Sequence, residues 1–212
     1  MRTDSETIYG STYKPNGQRG NGQRGNGHGN GHGNGASPLL AGAAGFGLGL
    51  LAAAGRKAVV QAPTAMAGDW FEGLKAEHAA ARKILEKLEQ TTDAEQAKRA
   101  PLVLALQHAI GKHNVQEEYV IYCVLKETGD AEAAIELNAD HAELKQALFD
   151  LEQLGKDQSP SFIAKVYEIR AAFEEHVREE EDVVFPRMHA ALSPERTKAL
   201  TSRMLREGFK VA

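Results

Sequence analysis

The chain has one cysteine, Cys123, which excludes an intramolecular disulfide framework and a cysteine-based zinc cluster. Aromatic residues are scarce, at 6%, and helix formers dominate from residue 69 onward, so the body is expected to be all-α. A net basic charge is missing from most of the chain. Residues 1–68 hold six lysines and arginines against two acids, so the remainder carries −8 of the overall −4. An acidic body offers no electrostatic footprint for nucleic acid, and no such partner is expected. Glycine is also rare in that body, since 15 of the 21 glycines fall in the first 55 residues. The chain thus divides into a glycine-rich leader and a body of one-domain size.

Within the leader, residues 15–35 read PNGQRGNGQRGNGHGNGHGNG, a short-period repeat with almost no apolar surface. Residues 1–37 are therefore expected to be a disordered tail, with His28 and His32 read as members of a linker rather than loose metal ligands. Residues 38–55, PLLAGAAGFGLGLLAAAG, carry no charge and precede Arg56 and Lys57. That length just reaches the transmembrane threshold, and Ala41, Gly45, Gly49 and Ala53 are spaced for close helix approach in lipid. Residues 38–68 are accordingly assigned as an apolar, membrane-associating segment plus linker. Whether it spans is left open, and Arg56-Lys57 favours a cytoplasmic body.

The body contains four long amphipathic segments. They are predicted from about Asp69 to Gln90, from an Asp93–Gln96 capping box to before Gly129, from Asp130 to Gly155 as a C-terminal cap, and from Ser159-Pro160 onward. SPER at 193–196 predicts a short final helix. Brief connections favour an up-down four-helix bundle over residues 69–212.

Shifting the body by 63 residues exposes an internal repeat. AEHAAARKILEKLEQ (76–90) falls on ADHAELKQALFDLEQ (139–153) with seven of fifteen positions identical. The same shift lays HNVQEEYVIY (113–122) on HVREEEDVVF (176–185), matching His113 to His176 and Glu117 to Glu180. Each copy carries one histidine on its first helix and His-x-x-x-Glu on its second. At about 100° per residue, His78, His113, Glu117, His141, His176 and Glu180 all lie on apolar stripes facing the interior. Buried carboxylates must pair or coordinate, and no lysine or arginine lies on those stripes near the glutamates. Six imidazole and carboxylate groups suit a first-row metal such as iron or manganese better than structural zinc. Two histidines per metal with both glutamates bridging would use every group. The alternative is a metal-free His/Glu hydrogen-bond network.

Other polar residues are read as supporting or peripheral. Glu77 and Asp140 are candidates to back the histidines or simply to be solvated. Glu118 and Glu181 are read as a solvated or salt-bridged face, His108 and His189 as surface residues, and Cys123 as a packed thiol.

On these residues the chain resembles the hemerythrin-like family, in its HHE cation-binding branch, over about residues 69–190 and including the VVFP after the second His-x-x-x-Glu. The family pattern falls on His78, His113, Glu117, His141, His176 and Glu180. The resemblance implies a four-helix bundle holding two iron ions, carboxylate- and oxo-bridged, with manganese the less favoured metal. It implies a small ligand: O2, NO or peroxide. One departure stands out. Oxygen-carrying members have a further histidine one turn after the third-helix ligand and His-x4-Asp on the last helix, whereas this chain has Lys145 and His-x-x-x-Glu. Four histidines instead of five leave one more coordination position open, which argues against simple O2 carriage. The functions expected are binding or turnover of a small oxidant, with peroxide decomposition as the enzymatic form, or iron/O2 sensing or storage without turnover. A protein partner is not indicated by the sequence.

Overall fold

A computed structural model of the chain describes residues 64–212, and the expectations for the glycine-rich tail and for the apolar stretch at 38–55 lie outside them. The described residues are helical, with no strand among them, and include no helix long and apolar enough to cross a membrane. The elements are α1 (Trp70–Glu89), a 3-10 turn (Asp93–Glu95), α2 (Gln96–Gln116), a π-helical segment (Glu117–Ile121), α3 (Tyr122–Glu127), α4 (Ala131–Lys156), α5 (Phe162–Arg178), a second π-helical segment (Glu179–Val184), α6 (Phe185–Ala191) and α7 (Pro194–Val211).

Local chemistry sets the helix ends. Asp69 caps α1 by accepting from the backbone N–H groups of Phe71 and Glu72 at 3.0 and 3.2 Å. The capping box before α2 sits one residue earlier than predicted, on Thr92 and Glu95, and opens as the 3-10 turn. Gly129 follows α3 at φ +99°, where a side chain would be strained. Gly155 proves to lie inside the last turn of α4, where a Cβ would meet the Phe162 ring at 3.3 Å; the left-handed residue is Gln158. α5 begins at Phe162 rather than at Ser159-Pro160, because Ser159 instead closes a turn, accepting from the Ser161 N–H. The final helix is not short. α7 runs 18 residues behind the predicted Ser193 cap and packs on α2, on the first π segment and on α1.

Each of α1, α2, α4 and α5 packs on two of the other three. Their apolar stripes form two clusters with a polar layer between. One cluster joins Trp70 and Leu74 of α1, Ala134 and Leu137 of α4, and Val120, Tyr122, Val184 and Phe185 from beyond α2 and α5. The other joins Leu85 and Leu88 of α1, Leu144 and Leu151 of α4, Leu106 and Ile110 of α2, and Ile169 and Phe173 of α5. Along each of the four helical runs, the histidines and glutamates fall where one cluster hands over to the other. Each fully buried Leu, Ile or Phe contributes roughly 1.5–3 kcal/mol, so apolar burial on both sides holds a polar layer that would not assemble by itself.

Candidate metal centre

The structure brings all six sequence-predicted residues into the layer between the two clusters, and none is more than 4% exposed. His78 and His113 present Nε2 to each other at 3.0 Å; His141 and His176 do the same at 3.2 Å. The two glutamates lie between the pairs. Glu117 Oε2 is 3.0 Å from His113 Nε2 and 3.2 Å from His141 Nε2. Glu180 Oε2 is 3.3 Å from His78 Nε2 and 3.4 Å from His176 Nε2. Each carboxylate therefore touches one histidine of each pair, as the repeat requires.

The outward nitrogens explain how the rings are held. His78 Nδ1 meets Glu181 at 2.7 Å, His141 Nδ1 meets Glu118 at 3.1 Å, and His176 Nδ1 meets Asp140 at 3.2 Å. His113 Nδ1 faces Glu77 at 3.5 Å, within ion-pair reach but too long for a hydrogen bond. A histidine donating from Nδ1 to a carboxylate keeps a lone pair on Nε2, so the three hydrogen bonds turn three lone pairs inward, and Glu77 faces the His113 ring in the same sense. The backing carboxylates also repeat with the 63-residue period, Glu77 with Asp140 and Glu118 with Glu181.

Glu118 and Glu181 are salt-bridged, as one of the two expected readings had it, Glu118 to Lys145 at 2.8 Å and Glu181 to Arg82 at 3.8 Å. They are also half-buried partners of the histidines, which was not expected. The reason is the π-helical stretch that begins at or just before each central glutamate. A π turn is wider than an α turn, so angles counted at 100° per residue fail from that point. The same shift leaves Cys123 exposed rather than packed. His108 is exposed as expected, but His189 is not an ordinary surface residue: its Nε2 meets the Asp69 cap at 2.6 Å.

Two further residues escaped the sequence reading. Tyr122 is buried, with its hydroxyl donating to Glu180 Oε1 at 2.7 Å and lying 3.2 Å from both Glu117 Oε2 and His141 Nε2. Its signal was in the repeat, where the corresponding residue is Phe185. Lys112 is buried too, and its ammonium donates to Glu77 Oε1 at 2.6 Å and to Thr64 Oγ1 at 3.1 Å. Gln116, with its amide nitrogen turned to Glu77, donates to both oxygens at 3.0 and 2.8 Å. Glu77 is therefore amply compensated. Among the described residues, no lysine or arginine forms an ion pair with Glu117 or Glu180.

Burial pushes the Glu117 carboxyl up, but His113, ahead of His141, outweighs it and holds the group well below the usual carboxylate range. His113 is driven the other way. Burial lowers it, yet Glu117 and Glu77 hold it well above the ordinary imidazole value. His78 is likewise raised, against burial and the neighbouring His113, by Glu180 and Glu181. Burial, then Glu117 and Glu180, keep the Tyr122 phenol well above its usual range.

Two overlapping groups have geometry that could hold a metal ion: His78, His113, Glu117 and Glu180, and His113, Glu117, His141 and His176. Glu117 Oε1 and Glu180 Oε2 are buried without any hydrogen-bond donor. Unsatisfied carboxylate oxygens beside inward imidazole lone pairs fit a cation. They do not fit a self-contained hydrogen-bond network. A family model described as the hemerythrin HHE cation-binding domain matches residues 70–188, which include all six residues. No curated protein and no solved structure matches the chain.

Proposed function

Because the chain belongs to the hemerythrin HHE cation-binding family, we propose that its polar layer holds two iron ions and binds or reacts with a small oxidant. The observation that carries this reading is the pair of buried carboxylates, Glu117 and Glu180, each with an oxygen that no donor satisfies, set between two pairs of inward-facing imidazoles. In this reading residues 69–212 form the family's up-down four-helix bundle. His78 and His113 would hold one ion and His141 and His176 the other, with Glu117 and Glu180 available to both. A mixed imidazole and carboxylate set favours iron, with manganese as the less favoured occupant.

Bound iron supplies the electrons or the ligand positions for O2, NO or peroxide. The protein's own residues do the rest. Glu77, Glu118, Asp140 and Glu181 hold the rings with Nε2 inward. The two apolar clusters keep bulk water from the layer. Since all six central residues are buried, a reactant has to be diatomic or similarly small.

Metal analysis of protein expressed with ample iron should give two irons per chain. None bound, or zinc alone, would overturn the reading. Steady peroxide consumption that disappears in Glu117→Ala and Glu180→Ala marks turnover. Tight iron without consumption marks sensing or storage.

A further inference from the structure

The two halves of the cage are related by the repeat, and one buried side chain breaks the relation. At position 122 the first copy has tyrosine where the second has Phe185. Phe185 is fully buried and packs edge-on against Trp70 and Phe71, with no polar atom to offer. Tyr122 is equally buried, but its hydroxyl reaches into the polar layer.

The hydroxyl has one proton, and the shortest contact, 2.7 Å to Glu180 Oε1, takes it. Its oxygen lone pairs then face two more acceptors. Glu117 Oε2 and His141 Nε2 each lie 3.2 Å from the phenol oxygen, and they lie 3.2 Å from one another. In the tautomer of His141 that donates from Nδ1 to Glu118, Nε2 presents a lone pair, and the three atoms then have no proton among them. Three such atoms at the corners of an equilateral triangle call for a shared cation, either an added proton or a metal ion. A first-row ion about 2.1 Å from each corner would see them at angles near 100°, close to one face of an octahedron. His176 Nε2, 3.2 Å from His141 Nε2, adjoins that face.

We propose that Tyr122 is a further protein ligand, binding as phenolate to the ion held by His141 and His176. This rests on the reading of the cage as a two-iron site. As the oxygen–metal bond forms, the phenol O–H bond breaks and its proton leaves to solvent. No counterpart exists at the other end, where Phe185 stands. The two ions are therefore unlike: one has His141, His176, Glu117, Glu180 and Tyr122, the other only His78, His113, Glu117 and Glu180. The position left by the missing fifth histidine is partly filled, and the open coordination sites concentrate at the His78–His113 end.

The test uses the full chain, loaded with iron(II) without air and oxidised with ferricyanide, one electron per iron. A phenolate bound to iron(III) absorbs in the visible, and resonance Raman excitation in that band brings out tyrosinate ring vibrations. The wild type should show both. Tyr122→Phe should lose both while keeping two irons per chain, and Phe185 shows that the packing accepts the substitution. Two irons bound without tyrosinate vibrations in the wild type would overturn the assignment. So would vibrations that survive in Tyr122→Phe. If the wild type binds no iron, the two-iron reading itself fails; iron without the phenolate signature sinks the tyrosine alone.

Discussion

Glu181→Gln should weaken metal binding at the His78–His113 end roughly tenfold to a hundredfold, and Glu118→Gln should do much less at the other end. The substitution keeps the shape and an acceptor oxygen but removes the charge behind the ring. A charge on Glu181 acts on a cation at His78 Nε2 over about 6 Å, which is roughly 3 kcal/mol per unit charge at an effective dielectric of about 20. The Glu181 side chain is 22% exposed, so solvent reduces this, and about 1.5–2.5 kcal/mol is expected. Arg82 hardly offsets it, lying 3.8 Å away with its guanidinium turned to Glu174. Glu118 has the same exposure, but Lys145 bonds it at 2.8 Å and the pair is nearly neutral as seen from His141. Its variant should cost less than tenfold. Lys145→Met, which frees the Glu118 charge, should tighten the His141–His176 end. Cobalt(II) titrations followed by absorption, with a competing chelator to set the scale, would resolve the two ends. Equal losses in both glutamine variants, or a larger loss in Glu118→Gln, would refute the reasoning.

The metal-free protein should be most stable between two pH limits. The depressed Glu117 carboxyl contributes stability present above its ordinary value of 4.5 and lost as pH falls through its lowered folded value. His113, raised well above 6.5, contributes stability present below 6.5 and lost as pH rises through its folded value. Thermal melts of chelator-treated protein across pH should show both limbs, and iron loading should remove the alkaline one because metal replaces the protons; a flat profile would contradict the cage electrostatics. Lys112→Met leaves the buried Glu77 carboxylate without its ammonium partner and should destabilise by about 3–5 kcal/mol, while Lys112→Met with Glu77→Gln recovers much of that. Denaturant melts in which the single variant matches the double would show that the pair is not coupled.

What the sequence reveals and what it hides follow from the same geometry. The six central residues repeat at an interval of 63 and sit on stripes of Leu, Ile and Phe, so their burial could be read from helical periodicity alone. The all-helical body was equally legible. Periodicity stops being a guide at Glu117 and Glu179, where the backbone widens into π turns. Glu118, Glu181 and Cys123 all lie past those points, and the contacts of the two glutamates with the histidines and the exposure of Cys123 were not legible. Lys112 was missed for another reason. It lies off the inner stripe, held by Glu77 and by Thr64, and the segment around Thr64 has no twin from which the repeat could predict it. Tyr122 needed a different question: where the two copies disagree rather than where they match.

Those disagreements carry the argument further than the matches do. A pair of metal positions made by duplication begins as two equal halves, and equal halves have no reason to bind a ligand at one end. In this chain the substitutions that break the symmetry act on the same layer. Tyr122 against Phe185 adds an oxygen at one end. Lys112 against Glu175 and Gln116 against Glu179 change the surroundings of the backing carboxylates. Glu77 is sealed with Lys112, Thr64 and Gln116, whereas Asp140 has a side chain 47% exposed and lines an open cleft with Glu136, Glu175 and Glu179. The ring of His176 is therefore backed by a carboxylate in contact with water, and that of His113 by one locked in a buried ion pair. On the two-iron reading, the ring of His113 would thus be shielded from solvent protons and the ring of His176 open to them, so a small oxidant held beside His113 would meet fewer competing protons.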